Sequence, residues 1–415
     1  MAKGRGRYQH DDRRKTQREY MSYEDVPLEE YRYNEPEPSN ITGKFIKIFL
    51  ILFLAVASVI AIMNIDKLTP DNIAHWFQYD VLGKTDGDGY PISFTGSTVE
   101  TGNFDLIKGV PVYCSDTTLA VLNTNAGKYQ ENQHSYAKPV LSVNSGYGIV
   151  YNTDATGYTV FDRDNQIYSS SSEKKIYAAD VSANGIYALL TRSDDYLSKL
   201  TVYRTDNLEK YEYAFADYYV NTVSLNSSGT RAVLSGLSAR NGEMISVLYI
   251  LDFKQSSYLQ KYEFDDVYIY EVKYLDSGNV AAVGDKMAFF INVDDGQKKD
   301  IDYSSRTLTA YELKRDYGML LSLSANPDGR DCNIVAVKSD GELKDEIETR
   351  DKIISLDIYG DRPAALFADR IVTYNFNGKP LSQVSVPLDS KKICCCAKNT
   401  FYVLGKSRIS RFEAE

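Results

Sequence analysis

The chain has 415 residues, a formal net charge of −10 and an ordinary 43% hydrophobic share. That length holds two or three average domains or one large all-β domain. Residues 1–65 carry ten Lys/Arg against nine Asp/Glu, and the rest carries 37 against 48, so the acidic body counts against binding nucleic acid or anionic wall polymers by general electrostatics.

Residues 1–43 are charged, poor in aliphatic side chains and end in an extended Asn34–Asn40 stretch, which predicts a disordered tail. Its tyrosines (Tyr8, Tyr20, Tyr23, Tyr31, Tyr33) read as parts of a solvated tail or as phosphorylation or docking sites. Next, Phe45–Ile65 is a 21-residue apolar run within a span assigned to 44–65. As a helix it reaches about 31 Å, enough for a bilayer core. Basic residues precede it (Arg13, Arg14, Lys15, Arg18, Arg32, Lys44, Lys47), whereas Lys67 is the only one in the stretch just after it. The positive-inside rule then places the N-terminus in the cytoplasm and the remainder outside a plasma membrane. The run continues past Ala55-Val56-Ala57 behind a long leader, which reads as an uncleaved anchor rather than a signal peptide.

Residues 66–90 read as a juxtamembrane helix and linker. Thr69 is a candidate N-cap, Pro70 the first helical residue and Gly83 the stop. Trp76, Phe77 and Tyr79 suit the interfacial zone. The Thr85–Pro91 stretch is rich in turn residues and lacks the ligand pattern of a calcium loop.

From residue 91 to 415, short β-branched and aromatic runs alternate with turn residues. Tyrosine is abundant, 34 residues against one Trp, and suits a half-buried pleated surface. The clearest unit places strands at Ile176–Val181, Tyr187–Arg192, Lys199–Arg204 and Tyr211–Ala216, with an Asn184-Gly185 hairpin turn. Turn residues Gly146, Gly185, Gly229, Gly278, Gly318, Gly360 and Asn399 recur at spacings of 39, 44, 49, 40, 42 and 39. Four strands per such period is the signature of a β-propeller blade. Full units fall near 104–136, 137–172, 173–216, 217–264, 265–303, 304–349 and 350–388, followed by a partial one. Ile92–Val99 is expected to complete that last unit, giving eight blades, with seven as the alternative.

Five cysteines (Cys114, Cys332, Cys394, Cys395, Cys396) form no disulfide framework, and the adjacent three lack zinc spacing. They are expected on the innermost strand of the closing blade, packed as small apolar residues.

The charged tail, the single apolar span, the Tyr90–Ser97 start (YPISFTGS) and the Ser182–Gly185 type of turn together resemble an uncharacterised family of membrane-anchored β-propeller proteins of clostridial Gram-positive bacteria. The resemblance covers nearly the whole chain. It implies a cell-surface address, and it carries over no functional residue.

Catalytic constellations are sparse. The only histidines in the outer portion are His75 and His134, and no G-x-S-x-G elbow occurs. The carboxylate pairs Asp194-Asp195, Asp265-Asp266 and Asp294-Asp295 sit in polar turns, and a glycoside hydrolase would need two facing each other. No catalytic residue, cofactor or metal ligand is assigned, and the chain reads as non-enzymatic. The densest aromatic zone is Tyr211, Tyr213, Tyr218, Tyr219, Tyr258, Tyr262, Tyr268, Tyr270 and Tyr274. These either form a binding face or pack between blades. The expected function is a tethered scaffold binding a protein or envelope component. A transmembrane sensor reporting through the tail and an extracellular hydrolase are the alternatives.

Overall fold

In the computed structural model, residues 87–415 apart from Asp345 are described, together with Phe49, Leu52 and Phe53. The chain divides into Met1–Phe77 and Gln78–Glu415. The disordered tail, the membrane span and the juxtamembrane helix assigned from sequence lie outside the described residues, apart from three helical ones. Among the described residues no helix is long and apolar enough to cross a membrane.

Eight antiparallel sheets of four strands make up the second unit. Their innermost strands are Val99–Ile107, Pro139–Asn144, Ile176–Val181, Tyr219–Leu225, Ile269–Tyr274, Thr307–Lys314, Ser355–Tyr359 and Lys392–Ala397, in blades one to eight. Each inner strand touches the next, and the eighth touches the first, so the ring is a closed eight-bladed propeller. The seven-bladed alternative is not realised. Ile92–Ser93 pairs with Arg408–Glu413 and supplies the eighth blade's outer strand. Here the sequence expectation is corrected: only Ile92 and Ser93 close that blade, and Val99 already opens blade one. The Gly96 turn, at φ 105°, separates the two.

Burial follows strand position. The second and third strands of a blade are covered on both faces by neighbouring blades, and they read as unbroken apolar runs such as Thr118–Leu122 and Val280–Gly284. Outer strands alternate, as in Gln166–Ser171 and Lys298–Asp302. Eight apolar clusters result, one at each blade interface. The repeating turn residues join first to second strands, as in the Gly185 and Gly229 turns at φ 81° and 60°. Lys108-Gly109 forms the same turn in blade one.

The inner strand is a sheet edge with unpaired backbone groups. Side chains from adjoining blades supply the partners. Asn103 Oδ1 accepts from Leu141 N at 2.9 Å, Ser224 Oγ from Tyr274 N at 3.1 Å and Ser355 Oγ from Ile393 N at 3.3 Å. Asp180 accepts from Ser142 Oγ and Leu225 N, both at 2.6 Å, joining blades two, three and four. Asp357 accepts from Lys314 Nζ at 2.7 Å and Cys395 N at 2.5 Å, joining blades six, seven and eight.

Cys394–Cys396 lie on the eighth inner strand, near the channel. Alternation along the strand turns Cys394 toward blade one and Cys395 toward blade seven. All five cysteines are free.

Candidate functional site

Inner strands run from a far face to an entry face. On the entry face the chain comes in beside blade one: Gly89 N donates to Asn125 O at 3.1 Å and Tyr90 Oη to Asn123 O at 2.8 Å. The central channel opens to this side as a cavity of about 960 Å³ and to the far side as one of about 640 Å³. Glu312, Leu313 and Lys392 line both, and so mark the waist between them.

Charged side chains crowd this channel. On the entry side, Arg315 reaches from the end of blade six to three other blades. Its guanidinium donates to Leu225 O (2.5 Å), Tyr274 O (3.1 Å) and Asp180 Oδ2 (2.8 Å). Lys273 pairs with Glu271 at 2.9 Å and Lys314 with Asp357 at 2.7 Å. At the waist, burial first, then the negative charges of Asp357, Asp105 and Glu271, push the Glu312 carboxyl up to about 8, against the pull of Lys392. Burial disfavours the Lys392 ammonium most strongly, but Glu312, Cys394, Asp105 and Asp357 together outweigh it and hold that pKa above its usual value.

One pair of residues has the elements of a nucleophile and base: Cys114 Sγ lies 3.2 Å from His134 Nε2. Nδ1 of His134 accepts from Tyr136 N at 3.2 Å, which assigns the imidazole proton to Nε2, aimed at sulfur. Burial pushes the Cys114 thiol up to about 12 and His134 down. A reactive cysteine needs its thiolate stabilised, so this pair serves packing. Sequence reading missed it because the two residues meet only through the register of blade one; no spacing signals it. Among the described residues no group of three or more His, Cys, Asp or Glu is placed to hold a metal. The turn carboxylates Asp194 and Asp266 are paired with Lys174 and Lys286.

The nine tyrosines divide by location. Tyr211, Tyr213, Tyr218 and Tyr258 belong to an aromatic belt between blades three and four. The Tyr211 ring lies 4.8 Å from Phe253, Phe215 stands between Tyr213 (5.0 Å) and Tyr249 (5.2 Å), and Tyr249 touches Tyr258 at 5.7 Å. Lys261 Nζ sits 4.8 Å above the Tyr218 ring. Tyr262 bonds within the blade four–five interface, to Gly296 O at 3.0 Å. Tyr274 is buried. Tyr219 and Tyr270 are exposed at the far-face ends of inner strands four and five, and Tyr268 stacks edge-on to Tyr270 at 5.4 Å.

That far face carries further exposed apolar groups: Tyr196, Ile354 and Leu388. Blade four also extends beyond its neighbours there. Its second and third strands, Arg231–Arg240 and Glu243–Asp252, are ten residues each. Tyr219 pairs with Leu237, and Ile245 with Asp265, so residues 238–244 project as a two-stranded hairpin. Its Asn241-Gly242 turn has φ of 54° and 86°, which an Asn-Gly turn allows. Below it, Glu263 is held down to about 2 by Lys261, Tyr218 and Arg240.

Among solved structures, the chain is similar to the C-terminal WD40 domain of Sif2 (10% identity, 78% of this chain and 98% of that one, TM-score 0.54). Weaker likenesses are the Cps50 (Swd1) propeller domain of Myceliophteria thermophila (12%, 79% and 99%, TM-score 0.47) and BamB from Moraxella catarrhalis (11%, 79% and 94%, TM-score 0.45). At such identity the likeness to the Sif2 domain supports the fold alone. No curated protein matches the chain. A model for a family of unknown function, DUF5711, matches residues 88–413, the whole propeller, and the chain belongs to that family.

Proposed function

We propose that this protein is a non-enzymatic binding scaffold: a propeller tethered through Phe45–Ile65, outside the plasma membrane, that docks a protein partner on its far face. One observation carries the reading. The chain enters beside Asn123 and Asn125, and the opposite face combines a projecting hairpin with exposed Tyr196, Tyr219 and Tyr270. Exposed aromatic residues on a rigid platform are favoured anchors for a partner. The membrane address rests on the apolar run and its flanking charges.

The reading is tested by replacing residues 239–243 with a two-residue turn, together with Tyr219→Ala and Tyr270→Ala, in the full-length protein. A partner co-purified with the unaltered protein is expected to be lost while the melting temperature holds. Retention of the partner at unchanged affinity moves the docking surface elsewhere. The sensor reading is distinguished by deleting residues 1–43: an unaltered phenotype removes it.

A further inference from the structure

The channel mouth on the far face has two chemically distinct sides. Following the ring, it is apolar at blades five, six and seven, through Tyr270, Leu308 and Ile354, and basic at blade eight, through Lys391 and Lys392. Tyr270 and Ile354 are exposed. Blade one comes next, and its inner strand bulges there. Its register with the second strand breaks between Val99 and Phe104, and a Cβ at Gly102 would meet nothing within 4 Å. The cavity behind this rim, about 640 Å³, is of ligand-pocket size.

The charges of this cavity do not balance. Its acidic and basic side chains are Glu271, Glu312, Lys391 and Lys392. Glu271 is bonded to Lys273 at 2.9 Å, and Glu312 keeps its proton at neutral pH. Neither lysine ammonium makes a hydrogen bond or ion pair with a described residue. Lys392 is drawn toward the carboxylates of the waist, which leaves Lys391, at the rim, the freer of the two. Lys108 and Asp316 line only the entry-side cavity, beyond the waist. The charge left to be met at the far mouth is positive, and it stands beside an apolar wall.

We infer that the far mouth receives the C-terminal end of a partner polypeptide, its carboxylate held by Lys391 and Lys392 and its last side chain, an apolar one, seated against Leu308 and Ile354. The inference rests on far-face docking and names the part of the partner that docks. Tyr270 belongs both to the exposed docking face and to the cavity rim, so the two surfaces are continuous. A chain end carries an anion next to a side chain, the pairing that this mouth complements, and capture of a terminal carboxylate is a recurring mode of peptide recognition. A chain end also needs no way out. A through-going segment would have to pass the waist at Glu312, Leu313 and Lys392.

Fluorescence polarisation with the full-length protein in nanodiscs tests this. The probes are dye-labelled Gly/Ser hexapeptides ending in valine, leucine or phenylalanine, each as the free acid and as the C-terminal amide. At least one free acid is expected to bind, and its amide about tenfold more weakly or worse. Lys391→Met combined with Lys392→Met should weaken the free acid by about tenfold or more, and added salt should narrow its advantage over the amide. Lys391→Arg, which keeps the charge, should leave binding within about twofold. Gly102→Trp, which fills the open space at the bulge, should weaken acid and amide alike. A shortened 239–243 hairpin with Tyr219→Ala should lose the partner yet keep the peptide, so failure of the docking face and failure of the mouth read separately. The inference is overturned, with far-face docking left standing, if no free acid binds the folded protein at about 1 mM, if amides bind equally well, or if the double lysine variant binds like the parent. Hexanoate binding as tightly as the peptide acids would overturn it too, by assigning the mouth to a small carboxylate.

Discussion

Arg315 Nη2 lies 2.8 Å from Asp180 Oδ2, although the two residues are 135 positions apart and belong to blades six and three. The pair is nearly buried, and it ties one side of the channel mouth to the other. Arg315 also caps the carbonyls of Leu225 and Tyr274. A planar guanidinium satisfies three acceptors in three blades, and a lysine ammonium lacks that fork.

Removing Arg315 therefore uncovers a buried carboxylate. Arg315→Met should cost roughly 3 kcal/mol of unfolding free energy, read by denaturant titration. Arg315→Lys should cost less, and adding Asp180→Asn to Arg315→Met should restore part of the loss. An Arg315→Lys variant as stable as the parent would show that the fork contributes nothing.

Glu312 sets a pH dependence. Its folded-state pKa is raised from 4.5 to about 8, so between those values the folded state binds more protons than the unfolded one. Stability then falls as pH rises through that window and levels off above it. Glu312→Gln should flatten the slope, and its gain over the parent should grow up to about pH 8 and stay there at higher pH. Parallel profiles for both proteins would contradict this.

Two turn glycines in neighbouring blades should respond differently to alanine. Gly318 has φ 132°, and an added Cβ would stand 2.1 Å from Val337 O, which is backbone. Gly360 has φ 58° and open space. Gly360→Ala should cost about 1 kcal/mol, the left-handed penalty alone, and Gly318→Ala distinctly more, because backbone must move as well. Melting temperatures of the two variants check the order.

Thiol chemistry should single out Cys396. It is half-buried, whereas Cys114, Cys332, Cys394 and Cys395 are buried, although Cys394 and Cys395 border the same entry-side cavity as Cys396. Maleimide labelling of the folded protein should give at most one adduct, slowly, since burial raises the Cys396 pKa too. Cys396→Ser should abolish it. Rapid modification of several thiols would mean that the blades open.

Much of this fold is written locally. Hairpin glycines such as Gly185 and Gly229 mark the period, and runs such as Val280–Gly284, buried on both faces, mark the middle strands. Closure was readable because Lys392–Ala397, Thr400–Leu404 and Arg408–Glu413 lack a fourth strand, and Ile92 meets Ile409 in register. Its extent was not: Ile92 to Val99 forms one strand-like run, and only the Gly96 turn divides it between two blades. The sites were far less legible. Glu312 and Lys392, Arg315 and Asp180, and Cys114 and His134 come together through ring closure or blade register, which no local pattern records. Tyr218 and Tyr219 are adjacent in sequence, yet strand alternation buries one and exposes the other.

Docking on the far face is tested by placing a photo-crosslinking amino acid at Tyr219 or, on the entry face, at Tyr359, in the full-length protein in its native membrane. Both side chains are exposed, at 58% and 43%. A discrete partner adduct is expected from position 219, lost when residues 239–243 are removed, and none from 359. An adduct from 359 alone, or no adduct from 219, would contradict it.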